Sequence, residues 1–187
     1  MEMQHAIEKT ARCLNAAGVT WAAGASWMLL QNGVVEQARD FDLLVKLDDA
    51  QRAKEVLLQL GSGRPGVTKQ PYLTKQFWTF EVDGMEIDMM AGFTLAHAGG
   101  EYLFPFDEAH IVGHAAVGTQ SVPLSAPEDW LVLYLLMGRE PRVGALEAHF
   151  QKKGLANPHL LQKALEQPLP TEIRTRVESV FSACQGF

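Results

Sequence analysis

Cysteine is scarce: Cys13 and Cys184 are the only two in 187 residues and stand near opposite ends of the chain. A framework of several disulfides is therefore excluded, a bridge between the two is the minority expectation, and a reducing cytoplasm is the expected location. Long apolar runs are missing as well. The longest, Trp130–Gly138, is far too short to span a bilayer. The opening Met1-Glu2-Met3-Gln4-His5 is polar, and Glu8 and Arg12 interrupt the next stretch, so no signal peptide is expected. Basic residues are outnumbered, with 16 Lys and Arg against 22 Asp and Glu, a net charge of −6 and a pI near 5.5. Phosphate contacts draw on clustered cations, so this balance argues against broad nucleic-acid binding while leaving small or locally docked partners open. There is no internal repeat, no low-complexity tract, and no Ser-His-Asp or Cys-His arrangement of a hydrolase.

What is present is an ordinary globular composition, 47% apolar and 20% charged, in a chain long enough for one domain or an α/β unit with a small appendix. Within residues 2–17, Ala6, Ile7, Ala11, Leu14 and Ala17 recur at helical spacing, and Gly18 is placed to end that helix. Val19–Ala23 reads as a short buried strand, which runs into the small-residue turn Gly24-Ala25-Ser26 and a helical stretch, Trp27–Gln31. Asp40–Lys46 is the next strand, and Asp48-Asp49 is placed to cap a helix over Ala50–Leu60. Gly61–Gly66 has the composition of a surface loop or a mobile lid. Gln76–Val82 and Met85–Met90 flank Asp83-Gly84, a dipeptide favoured in two-residue hairpin turns.

Residues 91–124 read as loops with brief strands near Ala109–Val112 and Gln120–Pro123. Ser125-Ala126-Pro127-Glu128 has the form of a capping box opening a helix to about Arg139. Three more helices are expected, over Val143–Lys153, from Asn157-Pro158 to Glu166, and from Pro170-Thr171 to Ala183. The expected division is an α/β part over 1–124 and a helical C-terminal segment over 125–187.

The chemistry concentrates in Arg39-Asp40-Phe41-Asp42-Leu43 and Glu86-Ile87-Asp88-Met89. Residues two apart on a strand share a face, so Asp40 and Asp42 project together while Phe41 and Leu43 enter the core. Asp88 lies on the returning arm of the hairpin, with Glu86 on its face as a candidate fourth acid. Neighbouring strands would bring three carboxylates into one small volume. Two such charges about 5 Å apart repel by roughly 3 kcal/mol at an effective dielectric near 20, so the cluster calls for protonation, basic partners or a bound cation. A divalent metal is the simplest answer. Carboxylates bridging metal ions, beside a turn that offers amides and a hydroxyl to phosphate oxygens, are the parts phosphoryl transfer requires.

Gly24-Ala25-Ser26, Asp40-Phe41-Asp42 and Asp88, in that order and spacing, resemble the signature of the nucleotidyltransferase superfamily related to DNA polymerase beta. The likeness covers roughly residues 15–140 and is nearest to small bacterial members, the abortive-infection toxin-like and aminoglycoside-modifying groups. In these a stretch similar to Ala126-Pro127-Glu128-Asp129-Trp130 opens a helix after the catalytic domain. The resemblance implies a mixed sheet flanked by helices in an α/β (α+β) fold, with a helical C-terminal segment. It also implies metal-dependent transfer of a nucleoside monophosphate from a nucleoside triphosphate to a hydroxyl-bearing acceptor, with Mg²⁺ or Mn²⁺. Asp40, Asp42 and Asp88 would be the metal ligands and catalytic acids, with Asp88 at or beside the base, and Gly24, Ala25, Ser26 and Arg39 would contact the nucleotide. The alternatives are an inactive nucleotide-binding or regulatory module of the same fold, or a toxin-antitoxin component.

The chain departs from the family pattern in three places, one being that the acidic residues that often follow the Arg at the end of the helix are reduced to Glu140 in Arg139-Glu140-Pro141-Arg142-Val143. Ala25 replaces the second glycine of a Gly-Gly pair, which is comfortable only at negative φ. Tyr134 stands where toxin-like members carry a lysine, leaving Lys46, Arg139 or Arg142 as substitute cations. His110 and His114, four apart with Gly113 between, are read as ordinary polar histidines rather than a zinc pair. Trp78 and Tyr72 are candidates to stack on a base.

Overall fold

The computed structural model describes residues 2–184; Met1 and the last three residues of the C-terminal segment lie outside the described residues. Its centre is a mixed seven-stranded sheet in the order β3-β4-β5-β2-β1-β9-β8. In chain order the elements are α1 (Glu2–Ala16), β1 (Trp21–Ala23), α2 (Ala25–Gln31), β2 (Phe41–Val45), α3 (Ala50–Leu60), β3 (Ser62–Pro65), β4 (Gln76–Val82) and β5 (Met85–Ala91). They continue with β6 (Thr94–His97), β7 (Gly100–Leu103), β8 (Ile111–Val117), β9 (Gln120–Ser125), α4 (Pro127–Leu136), α5 (Glu140–Lys153), α6 (Pro158–Leu165) and α7 (Thr171–Cys184).

The central strands arise from their apolar alternation. Phe41, Leu43, Ile87 and Met89 are all fully buried, and β2 runs parallel to β5 with Phe41 opposite Ile87 and Asp42 opposite Asp88. Trp21 and Trp27 both meet the Phe41 ring edge-on, at centroid distances of 6.4 and 5.2 Å, which ties β1 and α2 to the acidic strand. The β4–β5 hairpin closes through Asp83 and Gly84 at φ +50° and +77°. Both turn residues need the left-handed region in this tight connection, and Asp and Gly tolerate it.

α4 is buried on every side from Pro127 to Leu135. A helix with no polar face must be surrounded, and α2, α5, α6, α7 and β6 enclose it. This holds the N-terminal half of α4 against the turn after β1.

Four local expectations are corrected. Gly61–Gly66 is neither loop nor lid: Ser62–Pro65 is an edge strand paired with β4. A Cβ at Gly61 would strike the Glu81 carbonyl, and one at Gly63 or Gly66 would strike the rings of Phe80 or Phe77, so these glycines serve close strand approach. Residues 91–124 hold two hairpins, β6–β7 and β8–β9. Their strands are short and carry glycine, which blurs the alternation.

The capping expectations fail for a shared reason: each side chain is taken by a longer-range partner. Asp49 makes no cap bond to α3 and instead accepts a hydrogen bond from the Thr20 backbone N–H at 2.9 Å. α4 begins after Ala126 with no side-chain cap. Ser125 donates to the Ala23 carbonyl at 2.8 Å, and Glu128 accepts from the Asn157 backbone N–H at 2.7 Å.

Candidate active site

The register of β2 and β5 places Asp42 directly beside Asp88 on parallel strands, with Asp40 one residue before β2. Neighbouring parallel strands lie about 4.8 Å apart, so the two carboxylates leave the sheet as close neighbours. Asp40 accepts a hydrogen bond from Ser26 Oγ at 2.5 Å, which joins the turn after β1 to the acidic run. Asp88 accepts one from Thr79 Oγ1 at 2.7 Å, across the β4–β5 pair.

Asp42 bears the electrostatic cost of this arrangement. Burial first, then the charges of Asp40 and Asp88, push its carboxyl up to about 8. Asp88 is also raised, chiefly by burial and by Glu86 and Asp40, against the lowering effect of the Thr79 hydrogen bond and Arg64. Glu86 itself is exposed and pairs with Arg64 at 3.4 Å, so it raises Asp88 from the side without lining the cleft.

The turn is built by backbone contacts. Gly24 N–H donates to the Asp42 carbonyl at 2.9 Å, and a Cβ on Gly24 would run into the Trp130 indole ring. Only glycine lets the turn lie flat on α4. Trp130 Nε1 in turn donates to Ser125 Oγ at 2.9 Å, and Ser125 is bonded to Ala23, so β1, β9 and α4 are locked around this point. Ala25 sits at φ +42°. The comfortable negative φ expected for an alanine is therefore not what the turn adopts: the position remains left-handed although the residue is not glycine, at a cost of about 1 kcal/mol.

A cleft of about 650 Å³ opens over the acids, and Ala25, Ser26, Arg39, Asp40, Asp42 and Asp88 all line it. Gly24 is buried beneath Trp130, so the wall beside it is made by Ala25 and Ser26. Tyr134 lines the cleft one turn after Trp130. Burial, with Asp42 next, raises its hydroxyl above the usual tyrosine range, so it stays protonated and offers an O–H rather than a charge.

Of the three substitute cations, Arg139 and Arg142 line the cleft. Lys46 does not, and pairs with Glu108 at 2.8 Å, because it lies just past the opposite end of β2. Tyr72 lines the cleft and stacks on Phe93 at 6.5 Å with an interplanar angle of 9°. Trp78 lies on the other face of β4 under Lys54, whose Nζ is 4.0 Å from the ring centroid, so it is in no position to stack on a base in the cleft. His110 is buried with Nδ1 2.8 Å from Asp129 Oδ2, and His114 is exposed on a strand, as ordinary histidines.

Phe77, Met90, Phe93, Lys69 and Met137 are cleft residues that the sequence motifs did not single out. For Phe77 a signal was available, since it is two residues from Thr79 on the strand facing Asp88. The same holds for Met90, two residues from Asp88 on β5; Lys69 and Phe93 come from loops and Met137 from a helix end, with no pattern to mark them.

Among the described residues no group of three or more His, Cys, Asp or Glu side chains is arranged to hold a metal ion. Asp40 is turned to Ser26 and Asp88 to Thr79. The donor chemistry nevertheless fits a hard divalent cation: three carboxylates line one cleft, and Asp42 has acidic neighbours with no lowering influence.

No protein-family profile matches the chain, and no curated protein matches it in sequence. Solved structures do. A Thermotoga maritima protein provisionally named a nucleotidyltransferase aligns with a TM-score of 0.64 at 17% identity, covering 81% of this chain and 94% of that one. The antibiotic-resistance factor ANT(2'')-Ia, solved with adenylyl-2''-tobramycin, aligns at 0.60 and 12% identity over 96% of this chain and 98% of its own. The lincosamide antibiotic adenylyltransferase LnuA, solved with lincomycin, aligns at 0.53 and 14% identity over 80% and 98%. The chain has the nucleotidyltransferase fold.

Proposed function

We propose that this protein transfers a nucleoside monophosphate from a nucleoside triphosphate to a hydroxyl-bearing acceptor. The observation that carries the reading is the pairing of Asp42 with Asp88 beside Asp40, in a cleft that Arg139 and Arg142 also line. Asp40, Asp42 and Asp88 would hold Mg²⁺ or Mn²⁺, which when bound offsets their charge and acts as a Lewis acid toward phosphate oxygens. The Ser26 hydroxyl and the amides of Ala25 and Ser26 orient the phosphates, the Gly24 amide being bonded to the Asp42 carbonyl. Arg139, Arg142 and Arg39 supply the positive charge that a lysine at position 134 would have provided, which favours transfer over an inert binding module. Asp88, raised above the ordinary carboxylate range, accepts the acceptor's hydroxyl proton. The bond from acceptor oxygen to α-phosphorus then forms as the bond to the departing pyrophosphate breaks.

The division into a nucleotidyltransferase-like part over 1–124 and a helical segment over 125–187 belongs to this reading, with the second part closing one side of the cleft. So does a cytoplasmic location, which the two free cysteines support. No described helix is long and apolar enough to cross a membrane.

Thermal-shift titration with ATP, GTP, CTP and UTP, with and without Mg²⁺ or Mn²⁺, tests the proposal. A metal-dependent shift with at least one nucleotide is expected, and it should vanish in the Asp40→Asn, Asp42→Asn double variant. The same variant should release no pyrophosphate in the presence of an acceptor. Absence of a shift with every nucleotide overturns the reading, and a shift without turnover across a broad acceptor screen selects the regulatory module or a toxin-antitoxin role.

A further inference from the structure

The cleft carries information about the acceptor, and this inference rests on the transfer reading, which requires a second ligand. Beyond Asp40, Asp42 and Asp88, no Asp or Glu among the described residues lines it. Glu86, the nearest further acid in sequence, is exposed and paired with Arg64. Four cations do line the cleft: Arg39, Lys69, Arg139 and Arg142. None of the four forms an ion pair with a described residue. The rest of the wall is mixed: Val67, Phe77, Phe93 and Met137 give it apolar surface, and Thr68 and Thr74 add hydroxyls.

An acceptor with several ammonium groups needs carboxylates to replace the water it loses on entry, because an unpaired buried charge is costly. Here the only carboxylates are those committed to the reaction. Arg39, Arg139 and Arg142 are assigned to the triphosphate, so Lys69 is the lining cation left to face the acceptor, and an ammonium group beside it meets like-charge repulsion. An uncharged acceptor escapes both penalties, and an anionic one gains from the exposed Lys69. The apolar part of the wall gives a hydrophobic portion of the molecule somewhere to lie.

We infer that the acceptor is an uncharged or anionic hydroxyl-bearing small molecule with an apolar face, and not a polyamine such as an aminoglycoside.

The test is calorimetric titration of the full chain, without nucleotide, using phenyl β-D-glucoside, phenyl β-D-glucuronide and tobramycin as probes. Both aryl glycosides should bind in competition with each other, and tobramycin at least about tenfold more weakly than either. Lys69→Glu, at an exposed loop position, should weaken the glucuronide by about threefold or more and leave the glucoside within about twofold. Tobramycin binding as tight as the glycosides, no binding of either glycoside, or a glucuronide affinity indifferent to Lys69→Glu would each overturn the inference. A separate titration with ATP and Mg²⁺ addresses the transfer reading. Its failure sinks that reading while the acceptor ranking, measured without nucleotide, is judged on its own result.

Discussion

Two acidic regions of this molecule are built from the same residue types and reach opposite electrostatic ends. Beneath the start of α4, Glu128 and Asp129 are almost wholly buried, at 1% and 4% exposure, yet each has a partner. Asn157 donates to Glu128, and His110 lies against Asp129. Burial raises Asp129, and His110 opposes that rise. At the ends of β2 and β5, Asp42 is less buried but has two carboxylates for neighbours and no lowering influence. A satisfied buried acid holds elements together, whereas an unsatisfied one in a cleft is kept for a ligand. Exposure alone would have ranked the two regions the wrong way round.

That contrast can be broken by mutation. The largest stability effect should come from Asp129→Ala, which leaves His110 buried without its partner and should cost about 3–5 kcal/mol in urea denaturation. A loss under about 1 kcal/mol would show that the buried pair is not structural. Gly24→Ala comes next, since its Cβ must displace the Trp130 ring; up to about 3 kcal/mol should be lost, with altered tryptophan fluorescence.

Asp42→Asn should have the opposite sign. Between the ordinary carboxylate value of 3.8 and about 8, folded Asp42 holds a proton that the unfolded chain has released. Its presence therefore costs stability progressively as pH rises through that window. The asparagine variant should be clearly more stable than the parent at pH 8 and nearly equal at pH 4, while pyrophosphate release falls by about a hundredfold or more. Destabilisation at pH 8 would mean that Asp42 is structural after all. The smallest effect should be that of Ala25→Gly, which relieves the φ of +42° and should raise stability by about 0.5–1 kcal/mol in thermal unfolding.

Much of the site is legible in the chain because it depends on local rules. Alternation along Asp40–Lys46 and across the Asp83-Gly84 hairpin puts the acids on one strand face, and order alone sets them beside a small-residue turn. The capping patterns mislead because Asp49, Ser125 and Glu128 serve partners 29, 102 and 29 residues away, which no local pattern can show. The glycines of Gly61–Gly66 mislead for the same reason: a loop and a tightly paired edge strand demand the same residue, and only the neighbouring rings distinguish them.

The sequence by itself determined which residues can carry charge to one face, where the chain makes most of its turns, and that a helix opens near Pro127. Those outcomes rest on dihedral preference and periodicity, which act over a few residues. Only the tertiary structure decided that Asp42 stands beside Asp88, that Arg139 and Arg142 rather than Lys46 reach the cleft, and that Ala25 is held at positive φ between β1 and Trp130. Register and the docking of a helix onto a turn are set by packing across the whole core, where distant contacts outweigh local preference.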